Sequence, residues 1–443
     1  MTVIMALAGS AIGLGNIWRF PYMVGEHGGA AFILLYILAT IFLSIPIFLA
    51  ESIIGRRSGA NCRGAMRKLA PGTSWKWLGF LSVLTPMVIV SYYGVVGGWS
   101  LDFLWKSLRL EFVGTEPDVI EGMFSSMISS IWRPLVCLVV FMGISAYIVA
   151  KGVKGGIEKF SKFCLPVLFV LIVVIAIYSM SLSGSKAGVE YLLKPDFSKI
   201  TPKAFAYALG QSFYSLSLGM GIIITYSSYI SKNENLFVSG VGTAISDLLF
   251  AFLAGLAIMP AVFAAGIEPS SGAGLVFDTL PFIFSQMGET MPVMSSIAAI
   301  LFFLTITFAA LTSSVSLIEV GVAFLIEERK MKRWVASLTV FLATTAVGVL
   351  CSLSFGPLAK YQLLGNSFFG FLDKFSSNVL LTVGGFLCVV FVGWKMKKKD
   401  VHHEFTNGGR KKINEKAFPY IYFLLKYLAP IAVAIIFATN FML

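Results

Sequence analysis

Apolar residues in this chain come in long unbroken runs separated by short polar stretches. Eleven runs can be placed, at residues 3–24, 31–54, 77–107, 131–149, 157–181, 203–230, 237–263, 293–326, 333–351, 366–394 and 418–441. Most are close to or longer than the roughly 20 residues an α-helix needs to cross a bilayer. They are too long for the strands of a membrane barrel and lack its strict alternation. The pattern predicts an all-α polytopic membrane protein. The first and sixth runs differ from the rest, with polar, glycine-rich centres at 9–16 (GSAIGLGN) and 215–221 (SLSLGMG). Glycine is costly inside a helix and favours local unwinding. Unwound backbone at membrane depth is tolerated only where it lines a protein-enclosed space. Interrupted helices at matching positions of two halves point to a transporter's binding site. The blander reading, that such glycines only permit close helix packing, serves for one helix better than for two. The expected organisation is one transmembrane domain over 1–443, with a first five-helix repeat at 1–181 and an inverted second at 203–394. A basic loop at 395–417 and an eleventh helix at 418–441 complete it.

Composition agrees. Of 443 residues, 57% are apolar and only 13% charged, and the mean hydropathy is +0.85. Soluble domains carry about a quarter charged residues. A net charge of +12 would suggest nucleic acid in a soluble chain, but here the charges sort by loop. Alternate loops hold Arg56, Arg57, Arg63, Arg67 and Lys68, then Lys151, Lys154, Lys159 and Lys162, then Lys232. The series continues with Arg329, Lys330, Lys332 and Arg333, and ends with eight more between Lys395 and Lys416, which makes twenty-two of the 34 basic residues. The positive-inside rule assigns these loops to the cytoplasm. The opposite loops are more acidic (Glu111, Glu116, Asp118, Glu121, Glu268, Asp278, Glu289). An odd helix count then puts the N-terminus inside and the C-terminus outside a plasma membrane of bacterial type. The basicity is a topology signal, and no nucleic-acid partner is expected.

Residues 9–21 (GSAIGLGNIWRFP), followed by Glu26, Gly28 and Gly29, closely resemble the first-helix signature of the neurotransmitter:sodium symporters. Residues 211–221 (QSFYSLSLGMG) are similar to that family's sixth helix, and Thr312-Ser313-Ser314 to its eighth. The resemblance follows the helices in order over nearly the whole chain. It implies the fold of the bacterial leucine transporter and sodium-coupled uptake of amino acids or related amines. The sequence begins eight residues before Gly9, so the Trp and Arg of that family's cytoplasmic leader are not in it. Glu327, which resembles the acidic inner-gate residue of the eighth helix, would then lack its usual Arg.

A zwitterionic substrate needs donors for its carboxylate, and half-helix N-termini supply them. The amides of Leu14 and Gly15 suit that role, with a hydroxyl from Tyr93. The resemblance gives the ammonium the carbonyls of Ala11, Tyr214 and Ser215 and the hydroxyl of Ser217. The side-chain pocket would be Ser10, Ile89, Tyr93, Tyr214, Ser217, Met220, Ser313 and Leu317, with no charge among them. A charged side chain would be buried there without a partner, so neutral, largely hydrophobic amino acids are favoured. Sodium is a hard cation that wants several oxygens, and two sites are implied. One uses the Ala11 carbonyl, Asn16, Ser215, Asp247 and the substrate's own carboxylate; the other uses the carbonyls of Gly9, Ile12 and Ala309 with the hydroxyls of Thr312 and Ser313.

Carboxylates inside a membrane are costly and usually functional, and Glu51, Asp247 and Glu319 stand out. Chloride-dependent relatives carry Asn where this chain has Asp247. Its charge, beside Tyr36, Gln211 and Ser215, is expected to replace the anion and make transport chloride-independent. Glu51 is expected to support the unwound sixth helix, and Glu319 either to line the exit path or to be satisfied by neighbours. Arg19 and Asp373 resemble an outer gate over the substrate. An enzyme is disfavoured: the histidines are His27, His402 and His403, and there is no HExxH, GxSxG or Walker A motif. A non-transporting amino-acid sensor or a channel on the same fold stays open as the alternative. The eleventh helix is a candidate contact for a homodimer.

Overall fold

Prolines and capping side chains set the helix starts. Pro202 opens the sixth helix behind Thr201, whose hydroxyl accepts from the Ala204 amide at 3.0 Å. Asn235 caps the seventh through the amides of Phe237 and Val238, and Ser367 caps the tenth through Gly370. Each satisfies an amide that the helix itself cannot pair. The computed structural model describes residues 2–113, 115, 117–267 and 275–442; Glu116 and Glu268, two of the acidic loop positions, lie outside it.

Among the described residues, nine helices are long and apolar enough to cross a membrane. They are Ala30–Ser58, Lys76–Leu108, Trp132–Ala150, Val153–Ser181, Leu236–Ala264, Pro292–Arg329, Arg333–Leu353, Phe368–Lys395 and Lys412–Thr439. We number these second to fifth and seventh to eleventh. The first and sixth are broken. The first runs as Thr2–Ala11, leaves helical form at Ile12 and Gly13, and resumes to Glu26. The sixth runs as Pro202–Ser215, unwinds over 216–221, and resumes as Ile222–Ser228. Short helices occupy the connections at Cys62–Leu69, Pro117–Ser129, Lys186–Leu193, Leu280–Thr290 and Lys398–Phe405.

The broken helices sit in the middle. The first half-helix packs on the fifth and eighth, and the inner half of the sixth on the second. The third and eighth helices, the longest, pack on each other and on the fourth and ninth, forming a wall beside the breaks. Their apolar side chains form one continuous buried core with those of the broken helices.

The basic loops gather at one end of the bundle and are tied to one another there. The buried Arg56 guanidinium donates to the Glu404 carboxylate at 2.6 Å, to the Glu404 carbonyl, and to the Glu234 carbonyl at 2.7 Å. Lys232 reaches the same carboxylate at 2.9 Å, and Arg57 meets Asp400 at 3.0 Å. Burial alone would raise the Glu404 carboxyl, but the Lys232 hydrogen bond and the Arg56 guanidinium hold it below the ordinary glutamate value.

Glu404→Gln strands Arg56 in a buried position, so the thermal-inactivation midpoint of the purified protein is expected to fall, with a loss on the order of 3 kcal/mol. A carboxylate whose folded-state value is depressed stabilises the fold above its unfolded-chain value of about 4.3, and that contribution is lost as pH falls through the lower folded value. The variant should therefore flatten the acid limb of the stability profile. An unchanged limb would show that Glu404 contributes nothing to it.

Candidate functional site

The unwound stretch of the sixth helix is held in shape by the tenth helix and by Glu51. Ser217 and Gly219 take positive φ angles of 56° and 77°, which break the helical ladder and turn backbone groups inward. A Cβ added to Gly219 would lie 2.2 Å from the Leu381 carbonyl of the tenth helix, so only glycine fits. The Gly219 amide donates to Glu51 Oε1 of the second helix at 2.7 Å. An unpaired amide at membrane depth costs several kcal/mol; Glu51 removes that cost.

The break in the first helix is closed by its neighbours in the same manner. The Gly13 amide donates to Asn16 Oδ1 at 3.1 Å. The Leu14 amide points at the Tyr93 hydroxyl at 3.4 Å. The Ser10 carbonyl accepts from Ser217 at 3.0 Å and from Ser313 at 3.4 Å. The Ile12 carbonyl accepts from Thr312 at 3.2 Å, and the same hydroxyl lies 2.9 Å from the Ala309 carbonyl. A Cβ on Gly13 would sit 2.2 Å from Ser313 Oγ, so the first and eighth helices touch at this glycine.

Asp247 of the seventh helix is fully buried and gathers three others. Asn16 Nδ2 donates to its Oδ1 at 2.7 Å and to its carbonyl at 3.3 Å. Ser215 donates to the same carboxylate at 2.8 Å, and Tyr36 at 2.9 Å. Asn16 and Ser215 are themselves 3.2 Å apart. Gln211, expected beside Asp247, instead donates to the Gly15 carbonyl at 3.1 Å, which leaves its own buried carbonyl oxygen without a hydrogen bond.

A small cavity of about 30 Å³ lies between the breaks. Eleven of the twelve residues expected to hold substrate line it: Ser10, Ala11, Gly15, Ile89, Tyr93, Tyr214, Ser215, Ser217, Met220, Ser313 and Leu317. Leu14 does not; it is buried beside the cavity, with its amide toward Tyr93. Gly13 and Ile222 line it as well, and no residue type in the motif marked them. A larger cavity of about 320 Å³ adjoins it, and Gly15, Tyr93 and Tyr214 belong to the walls of both. Arg19 and Asp373 line this larger space, and the Arg19 guanidinium lies 4.6 Å over the Tyr214 ring. Trp99 stacks on Phe369 and meets Phe124 and Phe355 edge-on, giving the larger cavity aromatic walls. The sequence reading missed these aromatics because single aromatic residues in apolar helices carry no pattern.

The remaining expected residues have the following neighbours. Gly9 faces Ser161 of the fifth helix. Ser313 directs its hydroxyl to Ser10 and not to the Ile12–Ala309 oxygens. Glu327 accepts from the amide and side chain of Asn61 at 2.8 Å each. Glu319 is fully buried, ion-paired with Arg333 of the ninth helix and bonded by Tyr229 at 3.0 Å.

Two broken helices facing one another across an enclosed polar space, with both breaks satisfied by neighbouring side chains, is the construction of a secondary transporter. The chain belongs to the sodium:neurotransmitter symporter family, which it matches over residues 1–118 and 120–443. It is 38% identical to an uncharacterised sodium-dependent transporter of Bacillus subtilis, over 98% of this chain and 95% of that one. It is 35% identical to another from Haemophilus influenzae, over 99% and 96%. The crystal structure of MhsT in complex with L-phenylalanine is 40% identical and superimposes with a TM-score of 0.90, covering 99% of this chain and 98% of that one. The fold is thus the all-α leucine-transporter type. The protein is a sodium-using multi-pass membrane transporter and not an enzyme.

Glu51→Leu is expected to leave the Gly219 amide unpaired, lowering the thermal midpoint by several degrees and abolishing sodium-dependent substrate binding. Glu51→Gln keeps an accepting oxygen and should retain both within a few-fold. Equal loss in the two variants would mean that the charge, and not the hydrogen bond, is what Glu51 provides.

Proposed function

We propose that this transporter carries neutral, largely hydrophobic amino acids inward with sodium by alternating access, without chloride. The observation that carries this reading is the convergence of Asn16, Ser215 and Tyr36 on the buried carboxylate of Asp247. A fixed negative charge at that point offsets a sodium ion bound beside it, the task an anion would otherwise perform. One sodium would take the Ala11 carbonyl, Asn16, Ser215, Asp247 and the substrate carboxylate. A shared ligand means that each binder improves the other's site, which is the coupling free energy a symporter needs. The second would take the carbonyls of Gly9, Ile12 and Ala309 with Thr312 and Ser313; the close approach of Thr312 to two of those carbonyls supports it.

The absence of charged side chains from the small cavity's lining, together with Met220 and Leu317 in it, favours an uncharged apolar substrate side chain. The phenylalanine bound by MhsT is of that class. Arg19 and Asp373 would close the path above Tyr93 and Tyr214. The gathering of the basic loops at one end supports an N-terminus inside and a C-terminus outside the bacterial cytoplasmic membrane.

Reconstituted vesicles test the whole reading. A labelled mixture of neutral amino acids is expected to accumulate under an inward sodium gradient, and not when potassium replaces sodium. Replacing chloride with gluconate should leave the wild-type rate unchanged, whereas Asp247→Asn should lose at least tenfold in gluconate and recover when chloride is restored. A severalfold fall of the wild type in gluconate overturns the role given to Asp247. Binding without accumulation favours the sensor instead.

A further inference from the structure

The connection between the second and third helices carries a second large cavity, separate from the two at the broken helices. It measures about 330 Å³ and is lined by Arg63, Met66, Arg67, Thr73, Ser74 and Lys76, among others. Its first half is the short helix Cys62–Leu69, whose start is capped by Asn61 and whose Arg63 and Arg67 lie one turn apart. Its second half is the turn leading into the third helix at Lys76. The two halves are fixed against each other, because Gly79 of the third helix lies so close to Cys62 and Arg63 that a Cβ there would meet their backbone at 2.8 Å. The cavity is therefore a built feature and not a gap between mobile loops.

Its charge is unbalanced. Glu328 pairs with Arg67 at 2.7 Å and its charge also acts on Arg63, so one carboxylate stands beside two guanidinium groups and the Lys76 ammonium, and no acidic residue lines the cavity among the described residues. The Arg63 guanidinium, the Lys76 ammonium and the hydroxyls of Thr73 and Ser74 around one space, with the Glu328-paired Arg67 beside them, suit a phosphate group, for which arginine supplies paired donors. The position selects among phosphates. Trp77, Phe80 and Leu84 are exposed directly below Lys76 on one stripe of the third helix, the arrangement by which an aromatic belt marks the membrane boundary. By that marker the cavity's mouth falls at the level expected for lipid headgroups, on the end of the bundle where the basic loops cluster.

We propose that this cavity binds the phosphodiester headgroup of an anionic lipid. The site touches the broken sixth helix and the eighth helix. Cys62, at the start of the same short helix, places its Sγ 3.3 Å from the Gly221 carbonyl in the unwound sixth helix, and Asn61 holds Glu327 of the eighth. A headgroup that steadies this helix steadies the inner end of both.

The test reads binding and does not depend on the transported substrate. The thermal midpoint of the purified full chain in neutral detergent is followed while water-soluble dioctanoyl phosphatidylglycerol, dioctanoyl phosphatidylcholine or inorganic phosphate is titrated in. Phosphatidylglycerol is expected to raise the midpoint by about 2 °C or more at saturation, and phosphatidylcholine not to move it. Arg63→Gln with Lys76→Gln, at two exposed positions that leave the lipid-free midpoint unchanged, should remove the shift. An equal rise with inorganic phosphate, lost in the same double variant, would keep the phosphate site and assign it a soluble occupant. No rise, a rise with phosphatidylcholine, or a rise that survives the double variant overturns the proposal.

Discussion

In a bilayer a peptide amide has no water to fall back on, so every break in a helix has to be repaired by another part of the protein. The interior of this transporter is organised by that constraint. The first and sixth helices each forfeit part of their own hydrogen-bond ladder, and the repairs come from the second helix through Glu51, the third through Tyr93 and the eighth through Thr312 and Ser313. The breaks also repair each other, through Ser217 to Ser10 and Gln211 to Gly15. Most of these repairs are single hydrogen bonds to neutral groups, individually modest in net energy. A cation can displace a hydroxyl from a carbonyl, and a carboxylate can displace a tyrosine from an amide, without leaving a buried group unpaired. The same constraint that fixes the fold thus leaves its centre open to exchange of partners.

Asp247 is the exception, since it is a formal charge with no cation among its partners. Three donors from three helices surround it, and none can neutralise it. A buried carboxylate satisfied only by neutral donors is costly to keep; the sodium ion proposed above would recover part of that cost on each cycle. Glu51 is as deeply buried but has a different task, because its partner is a single backbone amide in a stretch that the tenth helix presses against. Glu319 differs again, being neutralised outright by Arg333. Three carboxylates that look alike as exceptions in an apolar sequence are thus separated by their nearest partners.

The helices and both breaks were legible in the sequence, for a local reason. A bilayer crossing imposes a length and a composition on contiguous residues, and glycine's effect on a helix acts at its own position. The cavity lining was nearly as legible, because it follows from those breaks and a motif of recognised type. The departures are tertiary. Gln211 lies one turn from Ser215 on the same helix face, yet its longer side chain crosses to Gly15 and away from Asp247. Ser313 turns to the Ser10 carbonyl because Gly13 brings the first helix against it. The connecting helices, Cys62–Leu69 among them, were invisible to a search for apolar runs, since they are short and half polar.

The two ends of the molecule are fastened unequally. At the basic end, Glu404 joins the second helix to the connections after the sixth and tenth, Glu319 joins the eighth to the ninth and to Tyr229, and Asn61 joins Glu327 to the short helix before the third. At the other end the larger cavity of about 320 Å³ reaches down to Tyr93 and Tyr214, which separate it from the small cavity between the breaks. A path barred by ion pairs on one side and by two aromatic side chains on the other opens more easily at the aromatic side. Turning Tyr214 gives up only the contact of its ring with the Arg19 guanidinium, whereas parting a buried ion pair leaves each partner uncompensated. The basic end is therefore the more firmly fastened of the two, and a substrate from the opposite end meets the facing Arg19 and Asp373 and then Tyr93 and Tyr214 before it reaches the breaks.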